Sequence, residues 1–138
     1  MQPSTLAAIT EALAPVPAVR VAYVFGSRLT GQARPDSDLD LAVRFERGLD
    51  VSGRLDATLS IIDALTARLG ALGERTDVVD LERCDPAVAF AAISGARVLE
   101  RDRPERIALE VRIARTYEDD APRRELYRRA AEARWSGE

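Results

Sequence analysis

Residues 26–43 read GSRLTGQARPDSDLDLAV, and this stretch decides the fold. It opens on a Gly-Ser pair that stops the β-branched and aromatic run VRVAYVF (19–25), as a turn stops a buried strand. It closes on DLDLAVRF (38–45), which alternates acid and apolar before turning apolar, again a strand. Between them QARPDS (32–37) holds the Pro, Asp and Ser of a loop. Alternate residues of a strand share a face, so Asp38 and Asp40 stand side by side, their Cα atoms roughly 6.5–7 Å apart. Two such carboxylates repel unless water or a cation lies between them. That face is either wet or a hard-cation site for Mg2+ or Mn2+.

Outward from this stretch the pattern is one of helices and short strands. Ser4 caps a helix through Leu13, ended by Pro15 and Pro17. Leu55, Leu59, Ile62, Leu65 and Leu69 recur at helical spacing between Gly53 and Gly70 and predict a helix whose stripe covers one sheet face. TDVVDL (76–81) is a third strand, Asp85-Pro86 opens a helix of small residues ending near Gly95, and ARVLER (96–101) adds a fourth strand. Pro104 opens a helix to about Glu118 whose apolar residues Ile107, Leu109, Val111, Ile113, Ala114 and Tyr117 span roughly 200°, predicting burial on two sides. After Pro122 a last helix carries Leu126, Tyr127, Ala130, Ala131 and Trp135 on one side and arginines on the other, a stripe that suits either its own core or a partner. The order α-β-β-α-β-α-β-α-α predicts an α+β (α/β-like) fold: a small mixed β-sheet with flanking helices and a C-terminal helical tail. Its 138 residues, 46% hydrophobic, suit one domain, with a core over 1–102 and a tail over 103–138.

Composition narrows the chemistry. All 20 basic residues are arginine, so lysine Schiff bases, P-loop lysines, Ser-His-Asp triads and histidine metal sites are excluded. A net charge of −3 gives no footprint for direct nucleic-acid binding or for an anionic membrane. Cys84, the single cysteine, forms no internal disulfide, and the N-terminus lacks the pattern of a signal peptide, so a cytoplasmic setting is expected.

Three groups of residues could carry a reaction. Gly26-Ser27 at a strand end is either a tight turn or a cradle where backbone N–H groups and a hydroxyl meet an anion. Asp38-x-Asp40 supplies paired oxygen ligands. Asp77, at the opening of a later apolar strand, is an edge acid or a third ligand; Asp80 competes but falls on the opposite face by alternation. Together they suit in-line displacement at phosphorus, with a triphosphate at the turn and metal between the carboxylates.

On these residues the chain resembles the minimal nucleotidyltransferases of the DNA polymerase β-like superfamily, whose signature is Gly-Ser, ten residues, Asp-x-Asp, then a third aspartate on a later strand. The helical tail narrows the likeness to the MntA-type antitoxins that pair with HEPN-family (HepT-type) ribonuclease toxins. The resemblance implies that Gly26, Ser27 and Arg28 bind nucleotide and that Asp38, Asp40 and Asp77 bind Mg2+ (or Mn2+) and support catalysis. It implies transfer of AMP from ATP to a tyrosine of a cognate toxin, within a hetero-oligomeric complex. Without histidine, this chain is not itself the toxin, whose motif needs one. Family members often carry an arginine where this chain has Thr30, which leaves phosphate charge to Arg28 and Arg34. The other readings are an antitoxin that acts by binding alone and a small-molecule nucleotidyltransferase, for which the chain has no second domain.

Overall fold

The computed structural model describes residues 1–137. Helix α1 (Pro3–Leu13) leads into strand β1 (Val19–Phe25), a single helical turn α2 (Ser27–Thr30) and strand β2 (Leu39–Phe45). Helix α3 (Val51–Leu69) and the short α4 (Ala71–Glu74) precede strand β3 (Thr76–Asp80). Helix α5 (Pro86–Ile93), strand β4 (Ala96–Glu100) and helices α6 (Arg103–Asp119) and α7 (Ala121–Gly137) complete the chain. The sheet order is β3-β2-β1-β4; β1 runs antiparallel to both neighbours and β2 pairs with β3 in parallel. The expected mixed sheet with flanking helices is what forms. The turns α2 and α4 are additions, each too short for a periodic pattern to show in sequence.

Both sheet faces are covered, so the central strands β1 and β2 are apolar nearly throughout. Leu39, Leu41 and Val43 of β2 join Ala22 and Val24 of β1 against Ile9 and Leu13 of α1 and Ile61 and Leu65 of α3. Val21, Tyr23 and Ala42 face the other way, against Ala89 and Ala92 of α5 and Leu109 and Ile113 of α6. Each fully buried Leu or Ile contributes about 1.5–3 kcal/mol. Tyr23 keeps its hydroxyl satisfied by donating to Glu110 at 3.1 Å. Helix starts are set by Asp50, Asp85 and Asp102, whose carboxylates accept from backbone N–H groups of the first turn.

Two stripes differ from expectation. In α3 the buried residues are Ala57, Ile61 and Leu65, whereas Leu55 and Leu59 are 58% and 52% exposed. The buried face is rotated from the expected stripe, sharing Leu65 with it and taking Ala57 and Ile61 in place of Leu55 and Leu59. Helix α6 buries one side through Leu109 and Ile113 and leaves Ile107 and Val111 exposed, so it does not bury two.

The tail departs most from a packed core. Tyr117 of α6 stacks on Phe90 of α5 with ring centroids 4.2 Å apart, and the Arg124 guanidinium lies 3.6 Å from the Tyr117 ring centre while donating to its carbonyl. Arg123 pairs with Asp120 and Asp85. These contacts fix the first turn of α7. Beyond them Leu126, Tyr127 and Trp135 are exposed, Trp135 by 90%. The rest of α7 is held by pairs on its own surface, from Arg128 to Glu125 and Glu132 and from Arg129 to Glu125. No helix among the described residues is long and apolar enough to cross a membrane.

Candidate active site

The register of the three strands assembles the site. Asp40 lies opposite Phe25 of β1 on one side and beside Asp77 of β3 on the other. Asp38 precedes β2 by one residue, and alternation puts it on the same face as Asp40, away from Leu39 and Leu41. Thus the neighbouring pair Asp38 and Asp40 and the sequence-distant Asp77 fall on one face at the start of β2, beside the turn that follows β1. Asp80 points elsewhere: its carboxylate faces Arg54 of α3 at 3.8 Å and Arg83 at 3.7 Å.

Gly26 is fixed by this geometry for two separate reasons. Its backbone is left-handed, φ 80° and ψ −162°, a region essentially restricted to glycine. A Cβ there would stand 2.1 Å from Oδ2 of Asp40. The Asp40 carboxylate therefore occupies the space a side chain would fill, in direct contact with the Gly-Ser turn. Ser27 opens α2, and its carbonyl accepts from Gln32 N–H at 3.1 Å.

The site is strongly anionic. Burial, then the charges of Asp77 and Asp38, raise the Asp40 carboxyl above the usual aspartate range. None of the three has an ion-pair partner among the described residues. An all-oxygen, triply acidic donor set that makes no ion pair among the described residues fits a hard divalent cation. The side chains are not drawn into a closed cage: among the described residues no group of three acidic, histidine or cysteine side chains stands at ligand spacing.

Arg28, expected at the phosphates, is engaged with the loop before β2. It donates to Ser37 O through Nε (3.1 Å) and Nη2 (2.8 Å), and to Pro35 O at 3.0 Å. Arg34 closes the same loop through its backbone, its N–H donating to Ser37 Oγ and its carbonyl accepting from Ser37 N–H. A residue that sequence reasoning passed over also reaches this loop: Arg75, whose Nη2 donates to the same Pro35 carbonyl at 3.0 Å. Its only sequence signal is a position two residues before Asp77.

The family described as polymerase beta nucleotidyltransferase matches residues 7–104, a span that contains all of these residues. No curated protein matches the sequence. Among solved structures, a toxin-antitoxin crystal structure with AMP-PNP aligns with TM-score 0.68 at 21% identity, over 91% of this chain and 98% of that one. The toxin-antitoxin MntA-HepT aligns with TM-score 0.63 at 20% identity, over 94% and 99%. A complex of a tri-AMPylated Shewanella oneidensis HEPN toxin with MNT antitoxin aligns with TM-score 0.64 at 20% identity, over 95% and 99%. At these identities the likeness is one of fold. With a family match across most of its length and an aspartate constellation at the end of the mixed sheet, the chain belongs to the polymerase beta nucleotidyltransferase family.

Proposed function

We propose that this protein is an antitoxin that transfers AMP from ATP to a tyrosine of a cognate HEPN-type toxin and so disarms it. The observation that carries the reading is the register of Asp40 beside Asp77 and against Gly26, which gathers three unpaired carboxylates at a turn suited to a triphosphate. The AMP-PNP and tri-AMPylated toxin in the complexes of similar fold support both the nucleotide and the acceptor.

In this reading Gly26 and Ser27 receive the triphosphate and Arg28 lies within reach of it. Asp38, Asp40 and Asp77 would hold Mg2+ or Mn2+, which supplies charge neutralisation for the triphosphate and the pentacoordinate phosphorus. The toxin's tyrosine oxygen forms a bond to the α-phosphorus, the bond from that phosphorus to the bridging oxygen breaks, and pyrophosphate leaves with the electron pair. Asp77, exposed on the edge strand, would serve on the nucleophile side as metal ligand or as acceptor of the phenolic proton. A cytoplasmic setting, where ATP is at hand, is part of this proposal.

Binding alone is a second reading, favoured by the exposed Leu126, Tyr127 and Trp135 of α7, which suit the helical face of a partner. One experiment separates the two. The toxin is incubated with ATP, Mg2+ and either this protein or its Asp38→Ala/Asp40→Ala variant, and its intact mass is measured. A gain of AMP with the unaltered protein alone supports the enzyme. Stable co-purification with no gain in either case supports neutralisation by binding.

A further inference from the structure

Arg75 grips the segment before β2 from two directions. Its carbonyl accepts from Leu39 N–H at 3.0 Å, and its guanidinium donates to Pro35 O at 3.0 Å. Asp38 lies between these two anchor points, and Asp77 follows Arg75 by two residues on a strand paired with Asp40. A single residue therefore ties together the chain segments that carry Asp38 and Asp77. Arg28 holds the same segment from the Gly-Ser side, so two guanidinium groups converge on one carbonyl. Such convergence of like charges is unfavourable unless anionic groups stand close by. The Nε of Arg75 is a buried donor without a partner among the described residues, a cost that an incidental surface arginine would avoid by turning to water.

We infer that Arg75 is a positioning residue: it sets the spacing between Asp38 and Asp77 by latching the Pro35–Leu39 segment onto the start of β3, and so prepares the carboxylates for a divalent cation. The inference rests on the carboxylate reading proposed above. It makes a prediction opposite in sign to simple electrostatics. Removing a positive charge beside an acidic site should strengthen cation binding; losing the support that orients a ligand should weaken it, typically by about 10–100-fold.

The test is Mn2+ binding to the full chain without nucleotide, with free Mn2+ followed by electron paramagnetic resonance, alongside thermal unfolding in EDTA. Arg75→Met keeps the aliphatic stem and removes the donors. It is expected to weaken Mn2+ binding about tenfold or more, while Arg75→Lys, which restores a donor towards Pro35 O, recovers most of the affinity. Should Arg75→Met not fold, Arg75→Gln, neutral and too short to reach Pro35, carries the same expectation. Unchanged or tighter binding in the neutral variant overturns the role of Arg75 alone. A wild-type protein that takes up no Mn2+ overturns the carboxylate site and this role with it.

Discussion

Replacing Gly26 by alanine tests the site's construction at its tightest point. Two costs fall on one methyl group. The backbone at φ 80°, ψ −162° suits glycine alone, and holding an L-residue there costs about 1–3 kcal/mol. The new Cβ would also lie 2.1 Å from Oδ2 of Asp40, so the carboxylate must swing away from its place beside Asp77. For a chain of this size 1 kcal/mol corresponds to about 3–6 °C of Tm, so Gly26→Ala should melt roughly 3–18 °C lower by circular dichroism in EDTA. Transfer of AMP to the partner should fall at least about a hundredfold, since displacing an oriented group by about 1 Å costs that much. Pairing the change with Asp40→Ala should recover part of the lost stability, because only the clash is relieved, and none of the activity. A Gly26→Ala protein that melts normally and transfers AMP at the wild-type rate would refute the claim that Asp40 occupies the space above Gly26.

Other outcomes follow from the packing and the charges. Trp135→Ala should leave Tm within about 1 °C, since the ring is 90% exposed, and weaken the complex with the toxin tenfold or more if α7 is the docking surface; calorimetry showing unchanged affinity would remove α7 from that role. Leu41→Ala, in the core between β2 and the α1/α3 layer, should cost about 2–5 kcal/mol in urea unfolding, and a cost below 1 kcal/mol would contradict that packing. A bidentate hydrogen bond from Arg20, with further pull from its charge, holds the Glu105 carboxyl below its ordinary range. Its stabilisation is present above the ordinary glutamate pKa of about 4.3 and is lost as pH falls through the depressed folded value. Glu105→Gln should therefore be about 0.5–1 kcal/mol less stable than wild type at pH 7, with the gap closing at more acidic pH; a gap independent of pH would count against the pair.

The strands that build the site were legible because burial and turn chemistry left a direct mark. VRVAYVF ends at the glycine that the turn requires, and DLDLAVRF shows its wet end in alternation and its buried length in an apolar run. Helix α3 was legible as a helix but not in its facing, because Leu55 and Leu59 score as well as Ala57 and Ile61 in any periodic reading. Only the approach of the sheet chooses between the two stripes. The present engagement of Arg28 with Ser37 and Pro35, and the part of Arg75, were invisible, since both depend on carbonyls presented by an irregular loop whose path no periodicity encodes.

The sheet order leaves β3 at an edge, with Asp77 upon it. An edge strand offers unpaired backbone groups on which another chain can add, and natural proteins guard such edges with brevity and charge. Here the strand is five residues long and carries aspartate at its second and last positions, so the guard against aggregation and the proposed catalytic apparatus share an atom set. A change that makes Asp77 apolar would do more than remove a proposed catalytic group: it would strip charge from a strand of sequence Thr-Asp-Val-Val-Asp and leave its apolar centre more open to templating. Solubility therefore constrains Asp77 independently of catalysis, and an inactive descendant of this protein would still be under pressure to keep the residue.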